Sequence, residues 1–232
     1  MTKFSDFAVA TRWPAQNPDI LQLYSLATPN GVKVSIMLEE IGLPYEDHKI
    51  SFDTNDQFDP AFLEISPNNK IPAIVDPNGP QGEAVSIFES AAILIYLAEK
   101  SGQLLPTDPI KRLDVLKWLM FQMGSVGPMF GQFGWFHTFA GKEIEDPRGA
   151  DRYAAEAKRI LSVIEKQLSD GRDWIAGDYS IADIAIAPWL NTMKNFYKGG
   201  ERVGWDEFTK VHAYLERFLD RPAVQTGLKV PA

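Results

Sequence analysis

Thr28-Pro29-Asn30-Gly31 is the stretch whose residue types and spacing could hold a charge. An apolar run (Ile20, Leu21, Leu23, Tyr24) leads into it, and Val32 to Ile41 leads away, closed by Gly42. If a helix starts here, Thr28 is its N-cap and Pro29 takes the first helical position, where a missing N–H costs nothing. Asn30 and Gly31 then offer free backbone N–H groups beyond the strand, which suits an anion. Asn-Gly between apolar runs is also a β-hairpin signal, and Val32, Val34, Ile36 and Leu38 alternate as a strand would. Thr-Pro ahead of Asn-Gly, the helix-forming Leu38-Glu39-Glu40 and Gly42 at the C′ position favour the helix. Val34, Met37, Leu38 and Ile41 then share one face.

Two further segments have chemical potential. In Ser66-Pro67-Asn68-Asn69-Lys70-Ile71-Pro72, a proline after an apolar residue at the mouth of a strand is where a cis bond can expose backbone groups. A peptide-like ligand could pair with that backbone as an added strand, or the segment is an ordinary tight turn. Phe88-Glu89-Ser90 opens a helix. Ser90 and its neighbouring N–H groups could take a carboxylate and Glu89 an ammonium; an acidic first turn also simply stabilises a helix start.

Other chemistries lack their parts. His48, His137 and His212 are scattered without helical i, i+4 pairing, which argues against a metal site or a Ser-His-Asp triad. No Gly-rich phosphate loop is present. The chain has no cysteine, so disulfides, thiolate metal sites and a protein-borne thiol nucleophile are excluded. A formal charge of −8 argues against nucleic-acid or anionic-membrane partners. No apolar run is long enough to span a bilayer, and the N-terminus lacks a signal peptide's pattern, so a cytoplasmic protein is expected.

The 232 residues, 45% apolar and 23% charged, suit a soluble globular chain of one large or two ordinary domains. Residues 1–19, with Pro14 and Pro18, read as an irregular extension anchored by Phe7 and Trp13 on the surface of its own chain or of a neighbour. Residues 20–101 read as an α/β domain: strand, helix 32–41, strand 45–50, a short helix 57–65 and a strand 71–76 entered by Pro72. A return strand through 84–87 and a helix 88–100, with Ala91, Leu94, Ile95 and Ala98 on one face, complete it. Residues 102–109 form a linker, and 110–232 an all-helical domain. Its stripes are Leu113, Leu116, Met120, Met123, and Tyr153, Ala157, Ile160, Leu161, Ile164, Leu168. Ser180-Ile181-Ala182-Asp183 is a capping-box start for a buried helix to about 195, and 205–219 is a last amphipathic helix. The aromatic stretch from Met129 to Phe139 is core in part, but its glycines and Gln132 suggest an irregular segment lining an apolar pocket.

These pieces together resemble the cytosolic glutathione transferases over nearly the whole chain from residue 20. Ile71-Pro72 matches the family's cis-proline turn, Glu89-Ser90 its acidic-Ser pair, and Ser180 to Asp183 its helical capping box. Thr28 to Gly31, Asp56-Gln57-Phe58, Ser66 to Val75, and Gly127-Pro128-Met129 with Gly131-Gln132 look like the Nu class in particular. The resemblance implies a thioredoxin-like N-terminal domain, an all-α C-terminal domain and a homodimer. It implies that Thr28 and Asn30 face the glutathione sulfur and that Gln57 and Lys70 hold the glycyl end or the nearby backbone. Ile71 would pair its main chain with the cysteinyl unit, and Glu89 and Ser90 would clasp the γ-glutamyl head. Arg152 matches a basic residue that reaches the ligand, in its own site or the partner's.

The activity implied is glutathione-dependent reduction of small disulfides, with hydroperoxide reduction and weak conjugation to electrophiles beside it, and no metal. A thiol titrates near about 8.5, so donors at a helix N-terminus are needed to raise its thiolate fraction at neutral pH. Thr28 and Asn30 can be neither base nor nucleophile at this pH and can serve the thiolate only as hydrogen-bond donors; Tyr24 and Ser25 are further candidate activators, since relatives use Tyr or Ser. A cysteine-free protein can reduce a disulfide if glutathione supplies both thiols, so one or two glutathiones, or the disulfide form, are expected per site. A chiefly conjugating transferase and a non-catalytic binding or regulatory protein of the same fold are the alternatives.

Overall fold

In the computed structural model, which describes residues 1–231, the chain forms two compact units: Met1–Gln103 together with Pro222–Ala232, and Leu104–Arg221. The first is built on β1 (Leu21–Ser25), β2 (Tyr45–Lys49), β3 (Ala73–Asp76) and β4 (Val85–Phe88), in the order β2-β1-β3-β4. β1 and β2 run parallel, in register from Leu21↔Tyr45 to Ser25↔Lys49. A parallel pair needs a crossover, and α2 (Gly31–Ile41) supplies it. β3 is antiparallel to both β1 and β4. The expected thioredoxin-like mixed sheet is what forms.

Side chains alternate across the sheet. Tyr24, Ala73 and Val75 join one core cluster with Ile50, Phe62 and Ile65, the last two on α3 (Pro60–Ile65). Phe4 and Val9 are buried in the same cluster, Val9 on α1 (Val9–Arg12). The N-terminal segment therefore anchors two side chains in this core, with Phe7 and Trp13 only partly buried against it. The expected helix 57–65 is broken at Asp59-Pro60. A residue before proline is driven out of the α region. Asp59 is extended and caps α3 instead, its carboxylate accepting from the Ala61 N–H at 2.9 Å. α4 (Ser90–Ser101) starts two residues later than expected, because Phe88 stays in β4 paired with Ala73. Its buried face is Ala91, Leu94, Leu97 and Ala98 with Ile93, and Ile95 is only half-buried.

α2 is not amphipathic in place: every residue from Gly31 to Leu38 is buried. α11 (Pro222–Gly227), which the hydropathy pattern does not reveal, packs on it. The Ser35 hydroxyl donates to the Gly227 carbonyl at 2.6 Å, and a Cβ on Gly227 would meet the Ile36 backbone at 2.6 Å.

The second unit is helical: α5 (Pro109–Phe121), α6 (Gly127–His137), α7 (Arg148–Gln167), α8 (Ile181–Asn191), α9 (Gly200–Val203) and α10 (Thr209–Leu219). The Leu113/Met120 stripe of α5 faces out, with Ile110 beside it; Val115 and Leu119 are the buried pair. Leu and Met lie all round this helix, so its periodicity alone fits two faces. The Tyr153–Leu168 stripe is buried apart from a half-buried Tyr153. α8 has the expected capping box: the Asp183 carboxylate accepts from the Ser180 N–H and Ser180 Oγ, and also from Ile175 N–H and the Tyr214 hydroxyl. Met129 to His137 is regular helix, contrary to the irregular segment expected. Its Gly134 is required by packing, since a Cβ there would lie 2.2 Å from the Tyr197 ring. Phe130 and Phe133 are core, whereas Trp135 and Phe139 are exposed.

Candidate active site at one end of the sheet

Tyr24, Ala73 and Phe88 lie in one row across β1, β3 and β4. β1 and β4 run out of the sheet at that row, and β3 runs in. β2 ends there too, with the Ile50 N–H donating to the Ser25 carbonyl at 2.9 Å. The segments carrying Thr28 and Asn30, Gln57, Lys70 and Ile71, and Glu89 and Ser90 all leave or enter at this one end. Strand register thus sets Thr28, Asn30, Lys70, Ile71, Glu89 and Ser90 within five residues of strand ends at this row, and Gln57 follows in the segment that leaves β2. Arg152 lies in the other unit, exposed on α7, beside an open cavity of about 590 Å³ lined by Met129, Tyr153 and Glu156.

At the start of α2 the Thr28 carbonyl accepts the first helical bond, from the Val32 N–H at 3.0 Å. That is the hydrogen bonding of an N-cap, although regular helix is reached only at Gly31. The Gly31 N–H donates to Thr28 Oγ1 at 3.2 Å, so it is not the free donor the sequence suggested. This contact organises the hydroxyl instead. An N–H has no lone pair, so Oγ1 accepts there and the hydroxyl's own hydrogen is left to serve another acceptor. Gly31 is required by close approach: a Cβ would lie 1.9 Å from the Leu26 carbonyl oxygen and 2.6 Å from Ser25 Oγ. Thr28, Pro29 and Asn30 are half-buried at the surface end of the sheet.

Tyr24 and Ser25 are not suited to activate a thiol. Tyr24 is fully buried in the core cluster, stacked on His48 with ring centroids 4.7 Å apart. Burial, with the Glu46 charge adding to it, pushes its phenol well above its ordinary range. Ser25 is fully buried beneath Gly31.

On the opposite flank, Ile71-Pro72 is a cis bond, as the turn suggested, and Asn69 two residues before it has φ 49°. The Ser66 hydroxyl donates to the Lys70 carbonyl at 2.7 Å and closes the turn, leaving the Lys70 side chain exposed. Gln57 sits in the short turn Asp56–Phe58, and its Oε1 is buried without a hydrogen-bond partner. A buried orphan acceptor is costly. An N–H donor, such as a peptide amide of a ligand, would satisfy this acceptor.

Glu89 is exposed with φ 71° and ψ 111°, a conformation non-glycine residues rarely hold, and Ser90 beside it is buried. Beneath them lies a residue that sequence reasoning missed. Lys33, on α2, is fully buried, and its Nζ donates to Ser90 Oγ at 3.2 Å. Burial pushes its pKa down to about 7, opposed by the Glu89 carboxylate. The sequence carries no sign of this burial, since Lys33 and Ser35 look like the polar positions of an amphipathic helix.

A mixed four-stranded α/β unit with a cis-proline turn, followed by a helical unit with a capping box, defines a thioredoxin-like protein with a helical second half. Residues 27–100 match the family description "Glutathione S-transferase, N-terminal domain", and 147–217 match "Glutathione S-transferase, C-terminal domain". The chain belongs to the glutathione S-transferase family. It is 42% identical over 211 residues to the disulfide-bond oxidoreductase YfcG of Escherichia coli K12, covering 90% of this chain and 94% of that one. A crystal structure of a Pseudomonas putida glutathione transferase, with one glutathione disulfide bound per subunit, superposes with a TM-score of 0.98 at 60% identity, covering 100% of both chains. A Pseudomonas fluorescens family member with two glutathiones bound gives a TM-score of 0.96 at 59% identity, covering 97% of this chain and 99% of that one. The resemblance to the disulfide-reducing branch of the family is therefore borne out. No helix of the described residues is long and apolar enough to cross a membrane.

Proposed function

We propose that this chain reduces small disulfides with glutathione, holding the glutathione sulfur as a thiolate against the Thr28 hydroxyl and the Asn30 amide at the start of α2. The Thr28–Gly31 contact carries the reading, because it presents a hydroxyl hydrogen at a helix N-terminus, where negative charge is favoured. Each pKa unit by which the site lowers the bound thiol corresponds to about 1.4 kcal/mol of preference for the thiolate. Gln57 and Lys70 would hold the glycyl end or nearby backbone, the Ile71 main chain the cysteinyl unit, and Glu89 with Ser90 the γ-glutamyl head. Arg152 enters on the family resemblance alone, in its own site or a partner's.

Glutathione is a consumed substrate here. One thiolate attacks a sulfur of the disulfide, forming a mixed disulfide and expelling a thiolate that takes up a proton. A second glutathione thiolate attacks the glutathione sulfur of the mixed disulfide, giving glutathione disulfide and a second thiol. The chain has no cysteine to perform that second step. A neighbour holding two glutathiones and another holding glutathione disulfide support this stoichiometry. The same thiolate would serve organic hydroperoxides and, weakly, electrophiles. A homodimer fits the exposed Ile110, Leu113 and Met120 of α5.

The test is Asn30→Ala. Turnover on a small disulfide should fall at least about tenfold, the loss of one charge-assisted hydrogen bond, while glutathione still saturates a tryptophan-fluorescence titration. Unchanged turnover removes the assigned role, and an absent titration in the unmodified chain favours a non-catalytic protein. Parallel rates on a disulfide, an organic hydroperoxide and an aromatic electrophile rank the activities.

A further inference from the structure

Lys33 has no part in the reaction outlined above, yet the fold buries it completely at the edge of the site. A buried ammonium is expensive unless paired, and an aliphatic side chain of the same length would commonly be neutral or better for stability. Its Nζ contact with Ser90, and the Glu89 charge that acts on it, place it at those residues. An ammonium carries only donors. While Lys33 carries its proton, Ser90 Oγ accepts in the 3.2 Å contact, and the serine's own hydrogen is directed to a different acceptor. Ser90 also opens α4, whose N-terminal end adds positive potential at the same point. Glu89, held at φ 71°, places a carboxylate beside that positive pair. The result is one cationic and one anionic pole on adjacent residues, matched to a zwitterionic amino-acid head.

We propose that Lys33 is a positioning residue for the γ-glutamyl head. It holds Ser90 Oγ as an acceptor, turns the Ser90 O–H toward the ligand's α-carboxylate, and balances the charge of Glu89. The inference rests on the reading of Glu89 and Ser90 as the head-group clasp, and deepens it by one buried residue. The lowered pKa of Lys33 agrees with its burial there, and Glu89 is the charged side chain that opposes the shift.

The experiment is a cycle of two ligands against three proteins, read by calorimetry on the full chain below pH 7, where Lys33 keeps its proton. The ligands are S-methylglutathione, which has no titrating thiol, and its counterpart lacking only the γ-glutamyl α-carboxylate. The proteins are the unmodified chain, Lys33→Met and Lys33→Gln. Met fills the space without a charge, Gln keeps a polar head, and a thermal melt verifies that each is folded. In the unmodified chain, removal of the carboxylate should weaken binding by about tenfold or more, as for a hydrogen bond to a charged group. In both variants that ratio should shrink below about threefold, because the carboxylate has lost its oriented donor. A purely structural role would weaken both ligands alike and leave the ratio intact, which overturns the inference for Lys33 while the clasp stands. If the unmodified chain itself does not distinguish the two ligands, the clasp reading fails and the inference falls with it.

Discussion

Arg12 Nε donates to the Asp59 carboxylate at 2.8 Å, a contact between the N-terminal segment and the cap of α3. A second guanidinium nitrogen reaches Asp56 at 3.4 Å, and the Asp56 carboxylate in turn accepts from the Ser51 N–H at 3.0 Å. The two carboxylates bracket Gln57, so one arginine fastens the turn that aims the orphan Gln57 acceptor. The arginine hydrogen bond also holds the Asp59 carboxyl below its ordinary range. Because Arg12 is 46% exposed, the ion pair itself adds little to global stability. Arg12→Ala should therefore leave the unfolding midpoint nearly unchanged while raising KM for glutathione several-fold with kcat retained. A variant that melts early with an unaltered KM would show that the segment only props the fold.

Gly31 offers a second, sharper lever on the same site. A Cβ at this position would lie 1.9 Å from the Leu26 backbone oxygen, and that oxygen cannot swing away as a side chain would. Gly31→Ala must shift the start of α2, and with it Thr28 Oγ1. The expected cost is about 1–3 kcal/mol in denaturant unfolding, typical of overpacking, with a disulfide-reductase loss larger than destabilisation alone explains. Retained activity in a destabilised protein would separate the helix start from the chemistry.

Much of this architecture was legible because local signals agreed with the tertiary outcome. Thr28-Pro29 and Gly42 bracket α2; Gly42 has φ 65° and the Leu43 N–H donates back to the Leu38 carbonyl, as a helix stop requires. Ser180 and Asp183 form their capping box within four residues of sequence. What was not legible depends on partners far along the chain. Lys33 reads as the polar face of an amphipathic helix until the fold sets α4, with Ser90 fifty-seven residues later, against α2. The hydrogen bonds of Arg12 link segments more than forty residues apart and leave no periodic trace. On α5, apolar residues on two faces made the period ambiguous, and Val115 and Leu119 rather than Leu113 and Met120 went inside. The role of Gly134 as a seat for the Tyr197 ring was likewise invisible, so a tightly packed helix looked like a broken one.

Tyr24 gives a prediction of the opposite kind, a change that should do no harm. Its hydroxyl is buried and has no hydrogen-bond partner, while the ring packs edge-on to Trp13 and stacks on His48. An unsatisfied buried hydroxyl costs about 1–3 kcal/mol. Tyr24→Phe should keep the ring contacts, hold or raise the unfolding free energy by up to about that amount, and leave disulfide turnover unchanged. A large fall in turnover would restore Tyr24 as a thiol activator, against its burial and its raised pKa.

Lys33 finally ties stability to pH with a definite sign. Its pKa falls from 10.5 to about 7 on folding, because burial penalises the ammonium. Below about pH 7 both folded and unfolded chains carry the proton, and the folded chain bears the full burial cost. Between about 7 and 10.5 the unfolded chain binds a proton that the folded chain lacks, so this group makes stability climb with pH. Above that range neither binds it and the contribution levels off. The whole span is on the order of 5 kcal/mol for such a shift. Lys33→Met has no such proton, so its stability advantage over the unmodified chain should be greatest in acid and should shrink steadily through the alkaline range. Paired denaturant titrations at several pH values measure that difference directly. A difference independent of pH would mean that Lys33 is protonated equally in both states, and that the groups around it fully meet its burial cost.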